Sequence, residues 1–598
     1  MFLIPRSCLK LKVKRFDFGF SMMEVLVAIG LFVIVVVPIY LAYSNILVAL
    51  SKDQARQSAT ALIQNQFEIA RNMPYSSIGV QGGYPAGALV PNQNTYYQSN
   101  NFNLIITVRN IDDPFDGTAN GTPNDTAPAD YKLIGITATC ISCQSFTPLT
   151  MTTTVAPKSL ETTTNNGSLF INVFDANGLA VPQANVHIHN GALNPAITIN
   201  DVTNNSGVLQ LVDIPTSTSA YEVAVSKSEY SSEQTYLMGA PSNPNPVKPH
   251  ATVASQQVTQ ISFIIDKTSS LTVNTTDEFC AVIPDINFNI AGTKLIGASP
   301  NVLKFSASTA TGVSGQKTFS NLEWDTYSFN MTNTQYDLSG ISQSLQLIIN
   351  PLTNYQMNWR LSLKNPSALL ISVVNGTGDV INNAKVTLSK TGFSQTFYTK
   401  RRDFKETSWA QNNYSSQSGN IDTENVPGSF TLQSTLAKYP TSTEWLISKT
   451  IDFGTQDISF YSLGWNPEVQ PLETGLESVK FQIATNNDQN TWNFIGPDAT
   501  SNSYYTLSPS QINSNHNNNR YLRYKVFMKT DDENFTPNIN NLAINFSSGC
   551  IISGQAFING LSTGTYNLTI EKGGYQIFTD SSLVISGNWQ EYKATLLE

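Results

Sequence analysis

Five aspartates, Asp112, Asp113, Asp116, Asp125 and Asp130, crowd a stretch rich in Gly, Pro, Asn and Thr. Carboxylate oxygens gathered on turns are hard donors that suit Ca²⁺. Their spacing does not match an EF-hand, and a solvated acidic loop is the plain alternative. Downstream, Cys140-Ile141-Ser142-Cys143 can close a small disulfide ring, act as a redox pair or contribute to a metal site. No second CxxC and no suitable His lies nearby in sequence, which favours the ring. Cys280 and Cys550 are far apart in the chain and their pairing is undetermined, while Cys8 sits in an N-terminal basic segment. Glu24 is a single carboxylate opening roughly thirty otherwise uncharged residues. A charge taken deep into lipid costs several kcal/mol, so Glu24 is a functional candidate with an amine as its natural partner, and a carboxylate snorkelling to the headgroups of an ordinary signal anchor is the plain alternative. Trp409, Trp465, Trp492, Tyr504 and Tyr505 are aromatics that could stack on sugars, although packing is the commoner role for such residues. His187 and His189 share a strand face and could hold a metal, but two isolated histidines are ordinarily surface residues; His516 lies in an Asn-rich turn without an identifiable partner. The chain lacks a GxSxG elbow, an HExxH helix and a phosphate-cradling glycine loop, and it has four histidines. No enzyme and no required cofactor is expected, with Ca²⁺ the one ion to consider.

The elements that must position these residues begin with a basic leader carrying Lys10, Lys12, Lys14 and Arg15, followed by an apolar run from Val25 to Val37. The basic cluster stays on the cytoplasmic side, which exports everything beyond about Leu50. Helical periodicity continues through Ala55, Ala59, Leu62, Ile63 and Ile69 to Asn72, and Pro74 stops it. A helix over 20–72 would be a rod of roughly 80 Å, about twice what a bilayer needs, loosened at Gly30 and Pro38. Residues 73–157 read as a small β layer on the second half of that helix, with alternation over Asn103–Asn110, Lys132–Thr139 and Leu149–Val155.

Repetition organises the remainder of the 598 residues. Three openings of equal length, Ser168 to Ile188, Ser270 to Ile290 and Ala368 to Leu388, each hold an alternating strand, a turn and a second alternating strand. Three closings match as well: Tyr221 and Tyr230, Tyr327 and Tyr336, and Tyr566 and Tyr575 are each nine residues apart. The pattern predicts β-sandwich modules over 158–268, 269–364 and 365–400 plus 548–598, with the tyrosines as core or corner residues. The third copy is split by residues 401–547, whose strands at Glu473–Ile483, Trp492–Gly496, Tyr504-Tyr505, Arg520–Met528 and Leu542–Phe546 suit an inserted sandwich. Alternation there puts Leu522, Tyr524, Val526 and Met528 on one face.

Charged residues make up 13% of the chain and the net charge is −9. The leader, with five basic residues and Asp17, contributes +4, leaving about −13 beyond it. That balance excludes broad nucleic-acid binding, which wants a basic face.

Gly19-Phe20-Ser21-Met22-Met23-Glu24, set between the basic leader and the apolar run, resembles the start of a type IV prepilin. In that family a membrane aspartyl peptidase cuts after the glycine and methylates the new terminal amine, here that of Phe20. The resemblance implies that Glu24 pairs with the N-terminal ammonium of a neighbouring subunit during assembly. Its implied fold is α+β at the N-terminus, a long membrane helix with a small antiparallel sheet, followed here by all-β sandwich modules. Some pseudopilins use an acidic calcium loop comparable to the one around Asp112. The three repeats resemble carboxypeptidase regulatory-like, transthyretin-like sandwiches, which have no catalysis of their own. A related group, the collagen-adhesin B-type repeats, joins a first-strand lysine to a last-strand asparagine; the first strands here contain no lysine, and no such crosslink is expected. The insert looks like a discoidin or galactose-binding-like jelly roll. Together these imply a minor pilin or pseudopilin at the cytoplasmic membrane and cell surface, with prepilin peptidase, other pilin subunits and a surface glycan or protein as partners. A pseudopilin of a secretion or DNA-uptake system and a non-filamentous anchored adhesin are the alternatives.

Overall fold

The computed structural model describes residues 22–143, 146–158, 163–410, 413–426 and 428–598. Among the described residues one α-helix, Met22–Arg71, is followed by β-strands, with short 3-10 turns at Tyr75–Ser77, Leu472–Thr474 and Ser514–His516. Pro38 lies inside that helix. From Met22 to Leu50 its described side chains are almost all exposed, and by length and composition the helix can cross a membrane. Beyond that point a stripe of Ala55, Ala59, Leu62, Ile63, Phe67 and Ala70 turns inward, the i, i+4, i+7, i+8 spacing of a half-buried helix. It packs on a four-stranded antiparallel meander, Asn92–Tyr97, Asn100–Ile111, Tyr131–Cys140 and Leu149–Val155. Sequence alternation had missed the first of these strands, whose residues are polar. The inward parity of the central strands, Phe102, Leu104, Ile106 and Val108 against Ile134, Ile136 and Ala138, supplies the other half of the core. Each large apolar side chain so buried contributes about 1.5–3 kcal/mol.

Three sandwiches follow with one shared topology. In each, the first strand pairs parallel with the last: Gly167–Phe174 with Val258–Ile264, Ser269–Thr276 with Asn354–Leu363, and Leu369–Asn375 with Gln590–Leu596. Local chemistry repeats too. Asp175, Asp277 and Asn375 each close the first turn by accepting the N–H groups two and four residues on. Thr203, Thr311 and Thr399 are buried and accept from the N–H of Ala184, Ile286 and Ala384. Tyr221, Tyr327 and Tyr566 are buried, and their hydroxyls donate to the carbonyls of Pro215, Glu323 and Ser562 at 2.6, 2.9 and 2.8 Å. These are the core and corner positions expected of them.

The insertion point follows from one further equivalence. Asn204 N–H donates to Val208 O in the first sandwich and Gly312 N–H to Gln316 O in the second; in the third, Lys400 N–H donates to Gln555 O. Gly207, Gly315 and Gly554 all have positive φ, and a Cβ at each would lie 2.6–3.1 Å from the carbonyl oxygen of Val173, Thr275 or Val373. The insert therefore replaces the tip of a tight turn that joins an edge strand of one sheet to an edge strand of the other. It builds its own sandwich from Arg402–Glu406, Asn541–Ser548, Ile458–Asn466 and Ser510–Gln511 against a second sheet centred on Tyr521–Met528. Two compact units result: the helix, head and first sandwich as far as Ile265, and the second and third sandwiches with the insert from Asp266 to Glu598.

Candidate functional site

The acidic loop joins the two central strands of the head. Asp112 directly follows Ile111 and Asp130 directly precedes Tyr131; Ile111 and Tyr131 are register partners, so the two carboxyls flank the open end of one hairpin. Asp125 is delivered by a turn in which Thr118 N–H donates to Pro123 O and Asp125 N–H to Thr118 O. Gly117 makes that turn possible, at φ 138°, with Pro123 O only 2.7 Å from where a Cβ would stand. One carboxylate oxygen from each of Asp112, Asp125 and Asp130 lies within 4.8 Å of the other two.

The second oxygens fix the carboxyls in place. Asp112 Oδ2 accepts from Ala119 N–H at 2.8 Å, Asp125 Oδ1 from Ala127 N–H at 2.7 Å, and Asp130 Oδ2 from Asp113 N–H. Asp112 Oδ1 and Asp125 Oδ2 are buried without a hydrogen-bond partner. Burial, then the charges of Asp125 and Asp130, push the Asp112 carboxyl up to about 6. Buried unsatisfied oxygens with converging negative charge are what a bound cation relieves, and an all-oxygen donor set fits Ca²⁺ or another hard ion. Of the five aspartates, these three converge and two do not. Asp113 Oδ1 is taken by Phe115 N–H, and Asp116 is exposed.

Cys140 and Cys143 form a disulfide that closes the end of the strand Tyr131–Cys140, beside Ile141 N–H donating to Asn101 O. Cys280 and Cys550 form the second, spanning 270 residues from the first turn of the second sandwich to the end of the insert. Beside it, Phe279 stacks on Phe546 with centroids 5.7 Å apart, and Arg360 donates to Cys550 O and Thr276 Oγ1. Sequence spacing had no means of showing this pairing.

The expected ligand aromatics separate into two groups. Trp409, Trp465 and Tyr505 are 1%, 5% and 1% exposed and belong to the insert's core, so they are packing residues and not ligand contacts. Trp492 and Tyr504 are partly exposed. His187 Nδ1 meets Asn200 Oδ1 at 2.6 Å and His189 Nδ1 meets Thr198 Oγ1 at 3.1 Å, so each is satisfied across the strand pair instead of sharing a metal. His516 is buried, with Nδ1 3.0 Å from Thr485 Oγ1, Nε2 without a partner, and a pKa lowered by burial to about 4. Gly19 and Phe20 lie outside the described residues; Glu24 lies in the first turns of the helix Met22–Arg71.

No family model matches the chain, and no curated protein matches it. Among solved structures, the Bacillus anthracis TIE protein overlaps at 10% identity over 85% of this chain and 73% of that one, with a TM-score of 0.16. The minor pilin GBS52 of Streptococcus agalactiae overlaps at 12% identity over 33% of this chain and 96% of its own, with a TM-score of 0.16. The shaft pilin SpaA of Lactobacillus rhamnosus GG overlaps at 11% identity over 33% and 98%, with a TM-score of 0.13. Superposition this poor carries no argument about this chain. Its class rests on its own topology: one membrane-length N-terminal helix followed by all-β sandwich modules.

Proposed function

We infer that this chain is a non-enzymatic surface subunit of the type IV pilin kind, a minor pilin or pseudopilin that assembles through its helix and displays sandwich modules for adhesion. One observation carries the reading. In sequence, Gly19-Phe20 and Glu24 stand at the head of the chain's long apolar run, and the helix Met22–Arg71 has a first half that is bare and apolar and a second half that packs on a four-stranded meander. A bare apolar half-helix needs lipid or neighbouring helices around it, and a lone carboxylate at its start needs an amine. Prepilin peptidase is the processing partner, other pilin subunits are the assembly partners, and the cytoplasmic membrane holds the chain before assembly. The acid triad Asp112, Asp125 and Asp130 acts as a Ca²⁺ site that stiffens the head. A head this large would crowd a uniform shaft, which favours a place at the tip or in a priming complex.

N-terminal analysis of the mature protein tests the assignment. The expected terminus is N-methylated Phe20, and Gly19→Ala should leave the leader attached. Intact processing of Gly19→Ala would remove the basis of the proposal.

A further inference from the structure

The strand Tyr521–Met528 is the centre of one insert sheet, with Glu444–Ile447 on one side and Val479–Asn486 on the other. Its inward side chains, Leu522, Tyr524, Val526 and Met528, fill the core. Its outward ones are Arg523, Lys525 and Phe527, all partly exposed. Register places Trp445 and Lys480 on either side of Phe527 on that outer face. Trp492 and Tyr504 come in from the segment that borders the same sheet.

Cations and rings alternate across this face. Lys525 Nζ lies 4.7 Å from the centroid of Trp445 and 4.8 Å from that of Phe527. Lys480 Nζ is 4.0 Å from Tyr504, and the Arg523 guanidinium is 4.3 Å from Trp492. Tyr504 meets Phe527 edge-on at 5.2 Å. Among the described residues, none of the three cations has an ion pair. Arg523 donates only to Thr450 Oγ1. Burial alone lowers the pKa values of Arg523 and Lys525, with no carboxylate offsetting it. The acids on the bordering segment are engaged in their own turns, Asp488 with Thr491 and Asp498 with Thr500 and Ser503. In a chain with 43 acidic and 34 basic residues, three uncompensated cations on one sheet face form a local reversal of sign.

The geometry points to this face as a binding surface for an anionic polysaccharide, a chain of uronic or sulfated sugars whose carboxylates or sulfates meet Lys480, Arg523 and Lys525. Each cation lies over a ring that holds it in place, and the partly exposed rings add apolar surface beside the charges. Segment 487–502, rich in Asn, Ser and Thr, borders the patch with donors and acceptors suited to hydroxyls. Single-stranded nucleic acid fits less well, because it needs open ring faces for base stacking and a longer basic track, and here cations cover the rings. The inference rests on the adhesive reading of the head but not on filament assembly.

Affinity electrophoresis of the full chain in detergent micelles tests it, with polygalacturonate and heparin as the two anionic probes, dextran as the neutral one and oligothymidylate as the nucleic-acid one. Retardation by polygalacturonate, heparin or both is expected, weakening with salt, with none by dextran; which of the two binds identifies carboxylate or sulfate as the partner. Lys480→Gln, Arg523→Gln and Lys525→Gln together should weaken binding roughly 3- to 150-fold, the combined effect of three exposed charge pairs. The charge-keeping set Lys480→Arg, Arg523→Lys and Lys525→Arg should retain it, which separates loss of charge from loss of fold. Absence of retardation by either polyanion, equal retardation by dextran, an unaffected triple Gln variant, or binding of oligothymidylate alone would each overturn the proposal. Terminal analysis at Phe20 is read on the same preparation, so failure of the pilin assignment and failure of this site are told apart.

Discussion

If Asp112, Asp125 and Asp130 hold Ca²⁺ as proposed, removing and restoring it gives a response whose sign and size follow from the geometry. Without metal, Asp112 is held protonated to about 6 instead of its ordinary 3.8, first by burial and then by Asp125 and Asp130. The folded chain then binds more protons than the unfolded one across that window, so metal-free stability is full below the lower value and declines as pH rises through the upper one. At ~1.36 kcal/mol per pH unit this amounts to at most about 3 kcal/mol. Asp112 is only partly buried, and solvent screening reduces the figure to about 1 kcal/mol. Ca²⁺ reverses the trend, because it takes the ionised triad. At a hundredfold excess over Kd it adds about 2.7 kcal/mol, and at ~2–4 °C per kcal/mol for a unit of this size the melting of the first unit should rise by roughly 5–10 °C. Asp125→Asn keeps the acceptor for Ala127 N–H while removing one charge. That variant should melt slightly higher than the native chain in EGTA and lose most of the response to Ca²⁺. Calorimetry of the full chain in micelles at pH 7.5, with EGTA or millimolar Ca²⁺, reads both effects. An identical transition in the two conditions, or a lower melting temperature for Asp125→Asn in EGTA, would refute a cation site and leave a hydrogen-bonded loop.

Two further outcomes follow from buried groups. His516 is held neutral to about 4 against an ordinary 6.5, so the insert keeps full stability above the higher value and loses about 3 kcal/mol as pH falls to the lower one; in His516→Gln, urea unfolding at pH 4.5 and 7 should show this acid-dependent loss abolished. Tyr566→Phe removes the donor to Ser562 O inside the third sandwich and should cost about 1 kcal/mol by urea titration, leaving the m-value unchanged.

Residues that alternate along one strand were legible, and residues that meet across strands were not. Period-two apolar positions and the nine-residue tyrosine spacing located the sandwiches because parity in a strand decides which face is buried. The same parity carried an unused signal: if Leu522, Tyr524, Val526 and Met528 face in, then Arg523, Lys525 and Phe527 face out. Tyr504 and Tyr505, being adjacent, point to opposite sides, so one of the pair had to be core. Trp465 needed more, since a register shift between Phe460 and Ser462 resets the parity of its strand. In the acidic loop, Asp113 and Asp116 were indistinguishable by composition from Asp112, Asp125 and Asp130; only the hairpin end and the turn at Gly117 separate them. The strands Glu444–Ile447 and Ile458–Asn466 were missed, as was the pairing of Cys280 with Cys550, which depends on tertiary proximity over 270 residues.

The attachment of the insert bears on the adhesion proposed for the head. A module strung on a linker transmits load through one peptide chain and can swivel; this one leaves and rejoins the third sandwich at the adjoining edges of its two sheets, closed by Lys400 N–H to Gln555 O. Its two ends are therefore held at strand spacing by the host fold, and the entropy of bringing them together is already met by the turn that the insert replaces. A third connection runs from Cys550 to Cys280, so load on the insert also passes into the second sandwich without crossing the third. Phe279 against Phe453 and Phe546, and Arg402 donating to Ser339 O, fill the space around that link with apolar and polar contacts. Load applied to the cation and aromatic face would thus be shared by two peptide connections and a covalent crosslink, an arrangement suited to a surface that holds a ligand under tension.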